Sequence, residues 1–229
     1  MIVKKYLSEV VSIIKHTDGL YTLEFRSGTG KFKYSPGQFL HLALDENYDG
    51  SGQWPDSRCF SMQSNPDEEL IRITYSVKGR FTRLMEEKLI KGSIVWLKLP
   101  YGDLFSKPHS KNNTVFIAGG TGITPFLSLF TDPSFQNYYN PMAFFGFRDK
   151  LMNFYYKELE RANIINQTLS VKIFFEQNEG LINIYEVLKM SQKDSSFFIS
   201  GPPTMINDFK LLLIKEGISI SNIFTDNWN

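Results

Sequence analysis

A single cysteine, Cys59, leaves the chain without an intramolecular disulfide and without a four-cysteine iron–sulfur cluster of its own. Its three histidines, His16, His41 and His109, have no metal-ligand spacing and read as surface or turn residues, so no metal site is expected. Neither sign of charge is in excess. The 25 Lys and Arg balance 24 Asp and Glu to a net charge of +1, which predicts no nucleic-acid or acidic-membrane partner. No apolar run approaches the roughly 18 residues of a membrane span. The first residues, with Lys4, Lys5 and Glu9, lack the apolar stretch of a signal peptide. Together these absences predict a cytoplasmic protein with no membrane insertion.

At 229 residues the chain is long enough for two modest domains. Two different patterns divide it. Before residue 108 it is rich in short strands: residues 20–25, 70–77 and 94–99 alternate apolar with polar, and 38–44 follow a Pro36-Gly37 turn. Strands of this kind separated by turn signals predict a small antiparallel barrel or sandwich. One helix interrupts them, with Phe81, Leu84, Met85 and Leu89 at helical spacing over 81–90 and Lys91-Gly92 ending it. After residue 113 strands and helices alternate. Strands are expected at 115–118, 142–147, 169–175, 197–200 and 223–225, and helices at 125–130, 153–162, 184–190 and 204–216. That order predicts a parallel sheet covered by helices on both faces. The polar stretch 106–113 joins the two parts.

The most informative segment is Thr-Val-Phe-Ile-Ala-Gly-Gly-Thr-Gly-Ile-Thr-Pro at 114–125. A buried strand leads into three glycines, Gly119, Gly120 and Gly122, which allow a tight turn and close approach of a ligand. Thr124 reads as an N-cap and Pro125 as the first helical residue. A helix start of this kind favours a phosphate through its free N–H groups and its dipole. The spacing is not the G-x-G-x-x-G of a standard dinucleotide fold, and a glycine-rich turn that binds nothing is the alternative.

Four further motifs follow one another in order: Arg58-Cys59-Phe60-Ser61, Gly79-Arg80-Phe81-Thr82, Tyr101-Gly102-Asp103-Leu104-Phe105 and Ser200-Gly201-Pro202-Pro203-Thr204-Met205. With the glycine turn, this series resembles the ferredoxin–NADP reductase superfamily over nearly the whole chain. Phe60 stands where that family has tyrosine, and Ser200 where it has cysteine. Phe145-Gly146-Phe147-Arg148 resembles the family's Tyr-Gly-Asn-Arg segment.

The resemblance implies an FAD-binding β-barrel domain at 1–108 and an NAD(P)-binding α/β domain at 109–229. It implies an NAD(P)H-dependent flavoprotein reductase. Arg58 suits a flavin pyrophosphate, because charge-assisted hydrogen bonds are the strong ones, and Phe60 shares its face of an extended strand. Alternation alone points Ser61 the other way, so its place beside the flavin N5 rests on the resemblance. Tyr75, Val77, Gly79, Arg80, Phe81 and Thr82 complete the flavin side; Thr82 also reads as a simple N-cap. Gly119, Gly120, Thr121, Gly122, Thr124, Pro125 and Arg148 are expected to take the nicotinamide dinucleotide, and Gly201, Pro202 and Met205 to line the nicotinamide slot. Ser61, Ser200 and Trp228 form the expected catalytic set, with the Trp228 ring covering the isoalloxazine. The loop 45–55, with Trp54, suits an FAD adenine.

Residues Phe175-Glu176-Gln177-Asn178-Glu179 occupy the place where NADPH-using relatives carry serine and arginine. Two carboxylates repel a 2′-phosphate, which favours NADH, while Arg148 and Lys150 offer NADPH a partner from the preceding strand. With no cluster of its own, the chain is expected to pass electrons to a separate acceptor such as a ferredoxin, a flavodoxin or an oxygenase component. Two alternatives stay open: a flavin reductase that uses free flavin as substrate, and a non-catalytic nucleotide-binding module.

Overall fold

Eleven strands form two separate sheets in the computed structural model, which describes residues 2–45 and 47–226. The first sheet contains β1 (Lys4–Thr17), β2 (Leu20–Ser27), β3 (Phe39–Ala43), β4 (Ser57–Ser61), β5 (Ile71–Ser76) and β6 (Ile94–Tyr101) in the order β4-β3-β6-β1-β2-β5. All its pairings are antiparallel, and it curls into a nearly closed barrel whose seam lies between β4 and β5. Inward residues such as Val10, Leu23, Leu40, Leu42 and Leu97 are wholly buried, as a period of two requires of one face of each strand. Helix α1 (Arg80–Lys88) joins this core through Phe81 and Met85.

The longest strand, β1, was not among the strands expected from the sequence. Its register against β2 shifts between Val10 and Ser12 and again between Lys15 and Thr17, and each bulge resets which residues point inward. No single alternation therefore runs along it. Strand β6 also continues through Pro100, where the sequence suggested an end. The register with β3 shifts between Phe39 and His41 opposite this stretch, so the proline sits at an irregularity of the ladder.

The second sheet is parallel throughout, in the order β11-β10-β7-β8-β9, from β7 (Val115–Gly119), β8 (Met142–Phe147), β9 (Ser170–Phe175), β10 (Phe197–Ser200) and β11 (Ile223–Thr225). Its strands read as continuous apolar runs because both faces are covered. Helix α2 (Thr124–Phe130) is buried along its whole length. Phe116, Phe126, Phe130, Phe145 and Phe198 meet in one cluster, which accounts for much of the chain's high phenylalanine content. Helix α3 (Tyr156–Ile165) starts three residues later than expected. A 3-10 turn at Lys150–Met152, capped by Asp149, and the buried Tyr155 come first. A four-residue helix, α4 (Glu176–Glu179), then precedes α5 (Ile184–Met190) and α6 (Pro203–Lys215). No helix among the described residues is long and apolar enough to cross a membrane.

Candidate functional site

Beside the barrel seam, β4 presents Arg58 and Phe60 on one face. The Arg58 guanidinium lies 5.3 Å from the centre of the Phe81 ring, which brings it to the first turn of α1. The Phe60 ring stands 6.0 Å from that of Tyr75, and Phe60, Tyr75 and Phe81 are all buried in the barrel core. Arg58 is exposed. It donates to Asp56 Oδ1 at 2.8 Å and to the Ser57 carbonyl at 2.7 Å.

Gly79 is the N-cap of α1, and Thr82 is the third helical residue rather than the cap. The Thr82 hydroxyl accepts from the backbone N–H of Lys78 at 2.9 Å and of Gly79 at 3.1 Å, and donates to the Gly79 carbonyl at 3.1 Å. Arg80 is exposed beside it, and Val77 packs against Gly19.

The glycine turn differs from its sequence reading in one respect. A 3-10 turn, Gly120–Ile123, supplies the start of α2, so Ile123 is the N-cap, Thr124 the first helical residue and Pro125 the second. The Thr124 hydroxyl donates to the Thr121 carbonyl at 2.9 Å and caps no N–H. The glycines have unequal roles. A Cβ on Gly122 would lie 2.6 Å from Gly201 Cα and from the Ser200 carbonyl, and one on Gly119 would lie 2.8 Å from Met205 Sδ. These two glycines let the β7 turn close on the Ser200–Met205 turn. A Cβ on Gly120, with φ +55°, would meet no protein atom within 4 Å.

Between the two sheets lies a residue that sequence reasoning missed. Asp226 Oδ2 accepts from Ser61 Oγ at 3.4 Å and from Ser200 Oγ at 3.3 Å. Ser61 and Ser200 are both buried, and they lie on β4 and β10, in different sheets. Asp226 follows β11 directly, and its N–H donates to the Ile199 carbonyl at 3.2 Å, which fixes the carboxylate over the end of the parallel sheet. The available sequence signal was a lone acid after the last strand, with nothing to tie it to Ser61. A cleft of about 350 Å³, lined by Gly102, Leu104, Lys107, Phe224 and Thr225 among others, reaches Asp226 from the loop that closes the barrel. Trp228 lies outside the described residues.

On the other face of β4, the Cys59 sulfur is 3.6 Å from His41 Nε2. Burial pushes its thiol above the usual range despite the neighbouring Arg58 charge, so it is protonated at neutral pH. Trp54 donates to Ser57 Oγ at 2.9 Å and packs edge-on against Tyr48. None of the histidines is a plain surface residue. His16 stacks on Phe154, His41 lies edge-on to Tyr101, and His109 bridges the Lys107 carbonyl and the Tyr138 hydroxyl.

Arg148 leaves the end of β8 exposed, and its carbonyl accepts from Gln177 N–H at 3.3 Å. At the end of β9 the Glu179 carboxylate accepts from Phe175 N–H at 2.9 Å, which holds one negative charge of α4 at that strand terminus.

No family model matches the chain. A stretch of 134 residues is 31% identical to terephthalate 1,2-dioxygenase, reductase component 1, of Comamonas sp, covering 56% of this chain and 37% of that protein. The match thus spans little more than a third of that relative's length. The cytochrome P450 reductase GcoB of Amycolatopsis shares the fold with a TM-score of 0.82 at 15% identity, over 99% of this chain and 70% of the other. A ferredoxin NADP+ reductase of Neisseria gonorrhoeae, solved with FAD and NADP, superposes with a TM-score of 0.79 at 19% identity, over 97% of both chains. The chain shares with these two structures its fold of an antiparallel barrel followed by a parallel sheet.

Proposed function

We propose that this chain is an FAD-dependent NAD(P)H reductase that passes electrons to a separate acceptor. The observation that carries the reading is the convergence of Ser61 and Ser200 on Asp226, between one anion cradle on the barrel and another on the parallel sheet. The residues fit the two cofactors. An exposed guanidinium beside the start of α1 suits a flavin pyrophosphate, with Arg58, Gly79 and Arg80 to hold it. Gly120 leaves room for a second pyrophosphate at the start of α2, flanked by Thr121 and Arg148. Bound flavin would supply the redox chemistry, accepting hydride from the nicotinamide and releasing electrons singly or as a pair.

The chain's own work is placement. Asp226 orients the Ser61 and Ser200 hydroxyls toward one point, its own Oδ2, and this set holds a proton at Ser61 Oγ where both serines are buried from solvent. Pro202 and Met205 pack on Gly119 and fix the turn that carries Ser200. Glu176 and Glu179, at the end of β9, favour NADH over NADPH by repelling a 2′-phosphate. The acceptor follows the relatives' names: a small redox protein or an oxygenase component.

The test is direct. Purified chain reconstituted with FAD and passed through a desalting column should stay yellow, and NADH should bleach the flavin in stopped flow faster than NADPH does. A chain that takes up no flavin, or whose flavin neither nucleotide bleaches, overturns the reading. One observation favours a second reading, a flavin reductase with free flavin as substrate. Arg58 Nη1 already serves Asp56 and the Ser57 carbonyl, and the Asp56 carboxylate offsets part of the charge that a phosphate would meet, which weakens retention. Flavin lost on the column, with NADH oxidation restored by added riboflavin, FMN or FAD, would decide for it.

A further inference from the structure

Directly after Ser61 the chain carries buried polar residues that the proposed chemistry does not use. Gln63, Ser64 and Asn65 are each no more than 2% exposed. Polar side chains are rarely this buried without partners that demand it, and here the partners lie on the opposite domain. Asn65 Nδ2 donates to the Thr131 carbonyl at 2.6 Å, just beyond α2. Ser128, inside α2 and fully buried, donates its hydroxyl to the Ser64 carbonyl at 2.8 Å. Gln63 Nε2 donates to Glu158 Oε1 of α3 at 2.9 Å.

The same segment is anchored from behind. Thr74 donates to Gln63 Oε1 at 2.6 Å, so the 2.7 Å bond from Thr22 to Thr74 runs toward Thr74, and His16 Nε2 donates to Thr22 at 2.8 Å. Arg72 lies 3.1 Å from Glu24, 3.5 Å from Glu68 and 3.6 Å from Glu158, and Arg161 closes the group at 3.0 Å from Glu68. These three bonds start two to four residues after Ser61 and end on α2, just beyond it, and on α3, with α2 the helix that follows the glycine turn.

We propose that Gln63–Asn65, with Ser128 and Glu158 as their partners, form a positioning strap that sets how the barrel cradle faces the glycine turn. The inference rests on the reductase reading. Hydride transfer requires two rings at a fixed separation, and a displacement of about 1 Å is enough to cost up to a hundredfold in rate. A buried, directional set of hydrogen bonds is suited to fix that separation, since apolar contact alone tolerates sliding. These are positioning residues, and none of them touches the reacting atoms.

The experiment uses the FAD-reconstituted chain with NADH. Ser128→Ala combined with Glu158→Leu is expected to slow flavin reduction at saturating NADH by about tenfold or more and to weaken the nicotinamide–flavin charge-transfer band, with flavin retention kept. Glu158→Gln, which still accepts from Gln63, is expected to recover much of the loss when it replaces the leucine. A lowered melting temperature with unchanged rate and unchanged band overturns the strap and leaves only a stabilising interface. Should the double variant fail to fold, Ser128→Ala alone carries the test. The Ser64 carbonyl still shares the Tyr34 hydroxyl proton, at 3.1 Å, with the Asn65 carbonyl, so it is not left without a donor, and a rate equal to that of the unaltered chain overturns the proposal. Failure of the unaltered chain to be reduced by NADH or NADPH is a separate result and removes the reductase reading itself.

Discussion

The two proposed anion cradles are built from similar parts and stand in opposite conditions. On the barrel, the polar groups are already engaged: Arg58 holds Asp56 and the Ser57 carbonyl, and the Thr82 hydroxyl holds two N–H groups at the start of α1. On the parallel sheet, a Cβ added to Gly120 would enter open space, and the glycines on either side of it are packed against the Gly201 turn. A ligand at the first would share Arg58 with Asp56 and compete with the Thr82 hydroxyl for the N–H groups of Lys78 and Gly79. A ligand at the second meets a backbone whose shape was settled by packing. Affinity on the barrel is therefore adjustable through a neighbouring side chain, whereas on the sheet it depends on backbone geometry.

The sharpest way to break this comparison is Gly122→Ala. Its Cβ would stand 2.6 Å from backbone atoms of Gly201 and Ser200, and overpacking against backbone costs about 2–3 kcal/mol. The urea midpoint should fall accordingly; an unchanged midpoint would show that the two turns do not close on each other. Next, Arg58→Ala should weaken flavin retention by about 1.5–3 kcal/mol, the contribution of a hydrogen bond to a charged group. Equilibrium dialysis against FAD measures it, and equal retention would remove Arg58 from the cradle.

Gly120→Ala comes third. A side chain at its φ of +55° strains the backbone by about 1–2 kcal/mol, and the new methyl projects into the open space proposed for the nucleotide. NADH binding should fall while the flavin spectrum stays as it was, and a loss of flavin instead would mean the cradles are not separate. Asp56→Asn sharpens the comparison from the other side. The Arg58–Asp56 pair is more than half exposed, so releasing it should tighten flavin binding by only about 0.2–1 kcal/mol. Weaker binding in that variant would show that Asp56 helps to hold the flavin.

The smallest effect lies outside both cradles. Burial lowers the pKa of His109, and of His16 and His41, below the ordinary histidine value, so each folds in its neutral form. The unfolded chain then binds more protons as pH falls below about 6.5, and stability declines there. At His109 burial outweighs the Lys107 carbonyl, which accepts from the ring and pulls the other way, and the Lys111 charge adds to the lowering. Urea midpoints between pH 8 and pH 5 should show the decline, and His109→Gln should flatten it in part. A midpoint that rises on acidification would contradict this.

Much of the architecture was written in local patterns. Alternation along β2, β5 and β6, the continuous apolar runs of β7, β8 and β10, and the glycine and proline punctuation between them depend on nearest neighbours. A buried face imposes such periods on any chain. Where the period is broken by bulges, as in β1, the signal vanishes although the strand is the longest. The motifs were legible for the same local reason, since a turn that needs positive φ or close approach must carry glycine. Which glycine serves a ligand and which serves packing was not legible. Only the contact of the 119–122 turn with Gly201 and Met205, some 80 residues later, separates Gly120 from its neighbours. Asp226 is the extreme case: the chain places it 165 residues from Ser61, and the tertiary fold brings the two within hydrogen-bonding reach. The sequence by itself determined most of the strands, helices and turns, because those follow from the period of burial along the chain. The joining of Ser61, Ser200 and Asp226, and the strap from Gln63–Asn65 to α2 and α3, came only from the packing of barrel on sheet, because hydrogen bonds between distant segments leave no periodic trace.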